Sequence, residues 1–150
     1  MTITVNGRSM APLLQPDDQI MIEAVEHTQL AIGDIVTVFD QNSLLTHRFW
    51  GSSIGSDDIV YLHTCRERPF QQDPPLPAQN LVGRVVQRKR HNQILNLQVG
   101  IGKWINKHLI LLLKIERRIG KQGTVQSKII QRVIKEWSVL ITGMVNIFHL

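Results

Sequence analysis

A serine hydroxyl becomes a useful nucleophile only when the backbone holds it at a surface and a neighbouring base takes its proton. In Gly7-Arg8-Ser9-Met10-Ala11-Pro12, Gly7 permits a sharp turn and Pro12 restrains the backbone just beyond the hydroxyl. His47, in the apolar run from Leu44 to Phe49, offers a base, because an imidazole with an ordinary pKa of about 6.5 accepts a proton near neutrality. The chemistry of such a pair is acyl transfer. By itself one serine with one of six histidines does not define a site, so the elements that must bring them together matter more. No Cys/His cluster has metal-ligand spacing and Cys65 is the single cysteine, so the reading expects no metal, no cofactor and no internal disulfide.

Those elements have two textures. Up to about residue 90 the chain shows short apolar runs broken by turn formers: Ile20 to Ile22, Ile35 to Phe39, Leu44 to Phe49, Ile59 to His63 and Leu81 to Val86. These read as strands. Asp40-Gln41-Asn42-Ser43 reads as a four-residue hairpin loop, which makes residues 35–49 an antiparallel pair with His47, Leu45 and Phe49 on one face. Four prolines between Pro69 and Asn80 exclude a central strand there and predict a surface connection.

Beyond about residue 100 the period lengthens to that of a helix. Ile105, His108, Leu109, Leu112, Ile115 and Ile119 form one stripe, and Ile129, Ile130, Val133, Ile134, Trp137, Leu140, Ile141 and Met144 form another. Gly120 to Gly123 divides them, with Thr124 or Ser127 as a cap for the second helix. Each stripe is apolar on one side and basic on the other. Such helices either pack on each other or on the sheet, or lie in a membrane interface. Packing is the preferred reading, because a domain of this size needs cover for its sheet.

With 150 residues, 43% of them apolar, the chain can bury a core, which excludes a disordered tail. No unbroken apolar stretch reaches the roughly 18 to 20 residues of a membrane span, and the start lacks the pattern of a secretory signal. Charge is uneven. Residues 1–83 carry four arginines against ten carboxylates, whereas residues 84–150 carry thirteen Lys and Arg against Glu116 and Glu136. A basic second part suits a phosphate-bearing surface, a partner protein or plain solvation. Arg84, Arg88, Lys89 and Arg90 read as a solvated strand end; no recognition motif accompanies them, so no specific nucleic-acid binding is expected.

Four ordered boxes carry a more specific signal. Gly7-x-Ser9-Met10-x-Pro12, Pro16-Asp17-Asp18 to Ile22, Ile32-Gly33-Asp34-Ile35-Val36 and Thr46-His47-Arg48 together resemble the type I signal peptidase superfamily, which includes the self-cleaving repressors. The His-Arg wording is that of the Ser-His branch found in the endoplasmic reticulum and in archaea. The resemblance covers residues 5 to about 87 and implies a coiled antiparallel β-sheet peptidase fold, taken as residues 1–92; the helical period adds a two-helix extension at 101–150, so the expected fold is mainly β, α+β overall. It implies Ser9 as nucleophile, His47 as general base and the Ser9 backbone N–H as oxyanion donor. Asp73 takes the place of the acid that orients the base and Glu67 that of an earlier acid; Asp73 is the one assigned. Met10 and Leu14 are assigned to an apolar pocket for the residue before the cut. Asp34 and Arg48 are read as structural, the one holding a turn and the other pairing with a carboxylate.

The departures from the family also have consequences. Asp17 stands where the family has a glycine, and the segment from Thr64 to Asp73 is reworded. The chain begins almost at the serine box, without the family's anchor, so the expectation is a cytoplasmic serine endopeptidase acting on a peptide or leader segment. Its basic helices would hold it to a membrane, a partner protein or the substrate. The alternative is a peptidase fold that binds peptides or serves as an accessory module without turnover.

Overall fold

The structure, a computed structural model, describes residues 1–67 and 71–120 and, beyond these, only residues 132, 133, 136, 137, 139, 140 and 143. The chain divides into two compact units, Met1–Leu95 and Asn96–Leu150.

The apolar runs of the first part become strands of one nine-stranded sheet. They are β1 (Thr2–Thr4), β2 (Gln19–Glu23), β3 (Ile35–Asp40), β4 (Ser43–Ile54), β5 (Val60–Arg66), β6 (Gln71–Gln72), β7 (Leu76–Pro77), β8 (Leu81–Arg90) and β9 (Gln93–Asn96). Their order is β1-β2-β8-β3-β4-β5-β6, with β7 also on β5 and β9 also on β8. The fold is therefore mainly β and antiparallel, as the short alternating runs predicted.

Register decides which side chains meet. In the β3–β4 hairpin Val36 lies opposite His47 and Ile35 opposite Arg48, so the consecutive residues His47 and Arg48 point to opposite faces. The pairing continues to Asp40 and Ser43, leaving a two-residue turn in place of the expected four-residue loop. Gln41 turns the corner with φ 52°. On the His47 face, Val36, Val38, Phe49 and Leu62 form a buried cluster against which Leu45, Leu76 and Leu81 pack. Truncation of a residue such as Leu62 to alanine costs about 2–5 kcal/mol in a core of this kind.

β8 is paired on both sides, and at Gly83 (φ 157°) a Cβ atom would lie 2.2 Å from the Glu23 carbonyl oxygen. Only glycine allows so close an approach of backbones. The proline-rich segment behaves as its composition requires: β6 and β7 take the edge of β5 rather than a central position.

In the second unit, α1 spans Gly100–Gly120, with side chains described at 100–112, 114 and 115. Ile105 and Leu109 of the predicted stripe are buried, His108 and Leu112 half-buried, and Ile115 is exposed. The expected second helix falls largely outside the described residues, as do its capping candidates Thr124 and Ser127 and the side chain of Ile119. Its Val133, Trp137 and Leu140 are helical. Among the described residues no helix is long and apolar enough to cross a membrane.

Candidate active site

The turn that carries Ser9 follows β1. Ala11 N–H donates to the Arg8 carbonyl at 3.1 Å and Leu14 N–H to the Met10 carbonyl at 2.9 Å, while buried Met10, Leu13 and Leu14 anchor the turn from beneath. Two of the four residues predicted to be a solvated strand end, Arg88 and Arg90, fasten it from β8, which corrects that expectation for them, while Lys89 is exposed as expected. Arg88 and Arg90 donate to the Leu13 carbonyl at 3.2 and 3.3 Å, and Arg90 forks onto both oxygens of Asp18 at 2.7 and 2.8 Å. Two arginines two residues apart on a strand share a face, and this face is covered, so that Arg88 is buried. Burial, reinforced by Arg90, pushes the Arg88 guanidinium down to about 10, still protonated at neutral pH.

A second fastening reaches Ser9 itself. Glu67 N–H donates to the Ser9 carbonyl oxygen at 2.8 Å. The Glu67 carboxylate is held by Arg48, whose Nε donates to it at 2.8 Å and whose Nη2 shares the same oxygen, while Nη1 donates to the Gly33 carbonyl at 2.6 Å. Both side chains are fully buried. Glu67 therefore faces Arg48 and not the histidine. Asp34 closes a tight turn by accepting the Ala31 N–H at 3.0 Å, next to Gly33 at φ 101°.

On the opposite face of β4, the Ser9 and His47 side chains meet, with Oγ 3.0 Å from Nε2. His47 Nδ1 lies 2.7 Å from Asp73 Oδ2, which also accepts from the Thr64 hydroxyl at 2.7 Å. Thr64 lies opposite Phe49 on β5, so it shares the face of His47, and Asp73 N–H donates to the Thr64 carbonyl at 2.9 Å to seat the acid beside both. Burial pushes the Asp73 carboxyl up, but the hydrogen bonds from His47 and Thr64 and the charges of His47 and Arg66 outweigh it and hold the group below its ordinary value. An ionised Asp73 only accepts. Nδ1–H therefore donates to Asp73, and in the neutral imidazole this tautomer leaves the Nε2 lone pair to accept from the Ser9 hydroxyl.

Ser9 is half-buried and opens into a groove of about 410 Å³. Met10 and Leu14 line it, together with Ile3 and Val5 from the β1 side and Leu44 and Leu45 from β4. The structure thus brings Ser9, His47, Asp73, Met10 and Leu14 to one place within the first unit. Sequence reasoning missed Thr64, the Glu67 N–H and the Arg90–Asp18 fork. The period-2 alternation of β5 and β8 was the available signal for Thr64 and Arg90, whereas a main-chain contact leaves none.

Compared with protein-family models and with curated proteins, the chain matches none.

Proposed function

We propose that the chain is a serine endopeptidase of the signal peptidase type, in the Ser-His branch, that cuts a peptide or leader segment through an acyl-enzyme. The observation that carries this reading is the unbroken line Ser9 Oγ, His47 Nε2, His47 Nδ1, Asp73 Oδ2, with contacts of 3.0 and 2.7 Å and its open end in an apolar groove. Ser9 Oγ attacks the scissile carbonyl as His47 takes its proton, and the Ser9 backbone N–H is the proposed oxyanion donor. His47 then protonates the leaving amine and later activates the deacylating water. Asp73 holds the Nδ1–H tautomer and stabilises the imidazolium.

An extended substrate fits this arrangement. β1 is an edge strand beside the groove, and main-chain pairing along an edge presents a peptide bond without demanding a particular side chain. Met10 and Leu14, buried beneath the turn, would form the floor of the pocket for an apolar residue before the cut. The reading includes a cytoplasmic location; recovery of the chain in an exported fraction would contradict it.

Digestion of a mixed peptide library by the wild type and by Ser9→Ala tests the proposal. Cuts made by the wild type and absent from the variant support it. A folded wild type that makes no cut overturns it in favour of a module that binds peptides without turnover.

A further inference from the structure

Two apolar stripes run along α1, and among the described residues only one is buried. At about 100° per residue, Gly102, Ile105, Asn106 and Leu109 fall on the buried side. Ile101, Trp104, Leu111 and Ile115 fall on a separate arc of roughly 80°, and they are 38%, 49%, 55% and 37% exposed. The Trp104 ring lies against that of His108 on the same arc, with centroids 3.9 Å apart. Lys103, Lys107 and Lys114 are exposed and occupy an arc of roughly 40° directly alongside it, and between Asp73 and Glu116 the sequence has no acid. A solvated helix face places polar residues there. This one places tryptophan, leucine and isoleucine beside a row of lysines.

We infer that this face of α1 binds an anionic lipid surface, lying in the plane of the membrane interface with Trp104 and Leu111 among the acyl chains and the three lysines at the headgroups. Charge selects the occupant: an all-lysine border attracts a negative leaflet and repels the same border on a second copy of the chain. The helix is too polar to cross a membrane, so it lies on the surface. Val133, Trp137 and Leu140, exposed at i, i+4 and i+7 spacing, repeat the same combination of tryptophan and aliphatic residues further along. The inference does not depend on the chemistry at Ser9.

Co-sedimentation of the full chain tests it, using vesicles of phosphatidylcholine alone and of phosphatidylcholine with phosphatidylglycerol. Binding is expected to the anionic vesicles and to weaken as salt rises from about 0.1 M to about 1 M, where screening shortens from about 10 to about 3 Å. Trp104→Ser with Leu111→Ser should weaken it more than tenfold. Each of Lys103→Gln, Lys107→Gln and Lys114→Gln should weaken it about fivefold. All these positions are exposed, and circular dichroism checks that the variants fold. Failure to bind anionic vesicles overturns the inference, as does binding that is indifferent to the serine substitutions. Self-association abolished by those substitutions, without vesicle binding, overturns it in favour of a second copy.

Discussion

His47 and Arg48 are neighbours on one strand, yet they build opposite kinds of charged cluster. On the Arg48 face a permanent cation grips Glu67, both partners are sealed from solvent, and the result is a fixed strut whose backbone end holds the Ser9 carbonyl. On the His47 face the partner of the carboxylate is a group that gains and loses a proton, and the line ends at a hydroxyl open to a groove. Both faces use a buried acid. The two differ in whether the acid's partner can titrate and whether the far end of the line reaches solvent, and on the proposed reading that difference separates scaffold from chemistry.

Breaking one face at a time sharpens the contrast. Asp73→Asn should lower the rate of Ser9 acylation by about 10⁴-fold through loss of the correct tautomer, with a far smaller change in melting temperature; a drop of less than tenfold would assign Asp73 to the scaffold. Glu67→Leu should cost about 3–5 kcal/mol of stability in denaturant titration because it strands a buried guanidinium. Adding Arg48→Met to it should recover most of that loss, and failure to recover would show that the pair does more than satisfy itself.

Acid should distinguish the faces as well. Because the folded-state pKa of Asp73 is depressed, its stabilising contribution is complete above the unfolded value of about 4 and is lost as pH falls through the folded value. In Asp73→Asn that part of the acid-induced loss should be missing, which melting curves between about pH 2 and about pH 5 would reveal. Activity carries a separate signature: a protonated base cannot act, so kcat/KM should fall toward acid, and a rate flat from about pH 8 to about pH 5 would remove His47 as base.

The smallest expected effect lies at Asp17, which adopts φ 70°. Aspartate tolerates this left-handed conformation better than most residues. Asp17→Gly should therefore change stability by less than about 1 kcal/mol, whereas the β-branched Asp17→Val should cost about 1–2 kcal/mol.

Much of this was legible in the sequence where a pattern is local. The alternation from Ile35 to Phe49 gave the hairpin and the face of His47, and the Asp34 turn could be read from Gly33-Asp34. The strands of two to four residues, β1, β6, β7 and β9, are too short to show a period, and they owe their form to the edges that receive them. Arg88 and Arg90 were misread because alternating basic residues on a strand look solvated until another segment, here the Ser9 turn, covers one face. The place of Asp73 followed from the resemblance alone, since its burial depends on β6 folding back onto β5 so that Cys65 lies opposite Gln72. The second stripe of α1 was missed: the helical period gave one apolar face that shares only Ile115 of its aliphatic residues with it, and the fold shows that Ile101, Trp104 and Leu111 are exposed too.

The central claim is that Ser9 is activated by His47. The most direct measurement is labelling of the purified chain by a serine-directed acylating probe near pH 7.5, comparing wild type with Ser9→Ala and His47→Ala. The account predicts one adduct, mapped to Ser9, that is lost in both variants. A folded wild type that takes no label, or a His47→Ala variant that labels as fast as the wild type, would contradict it.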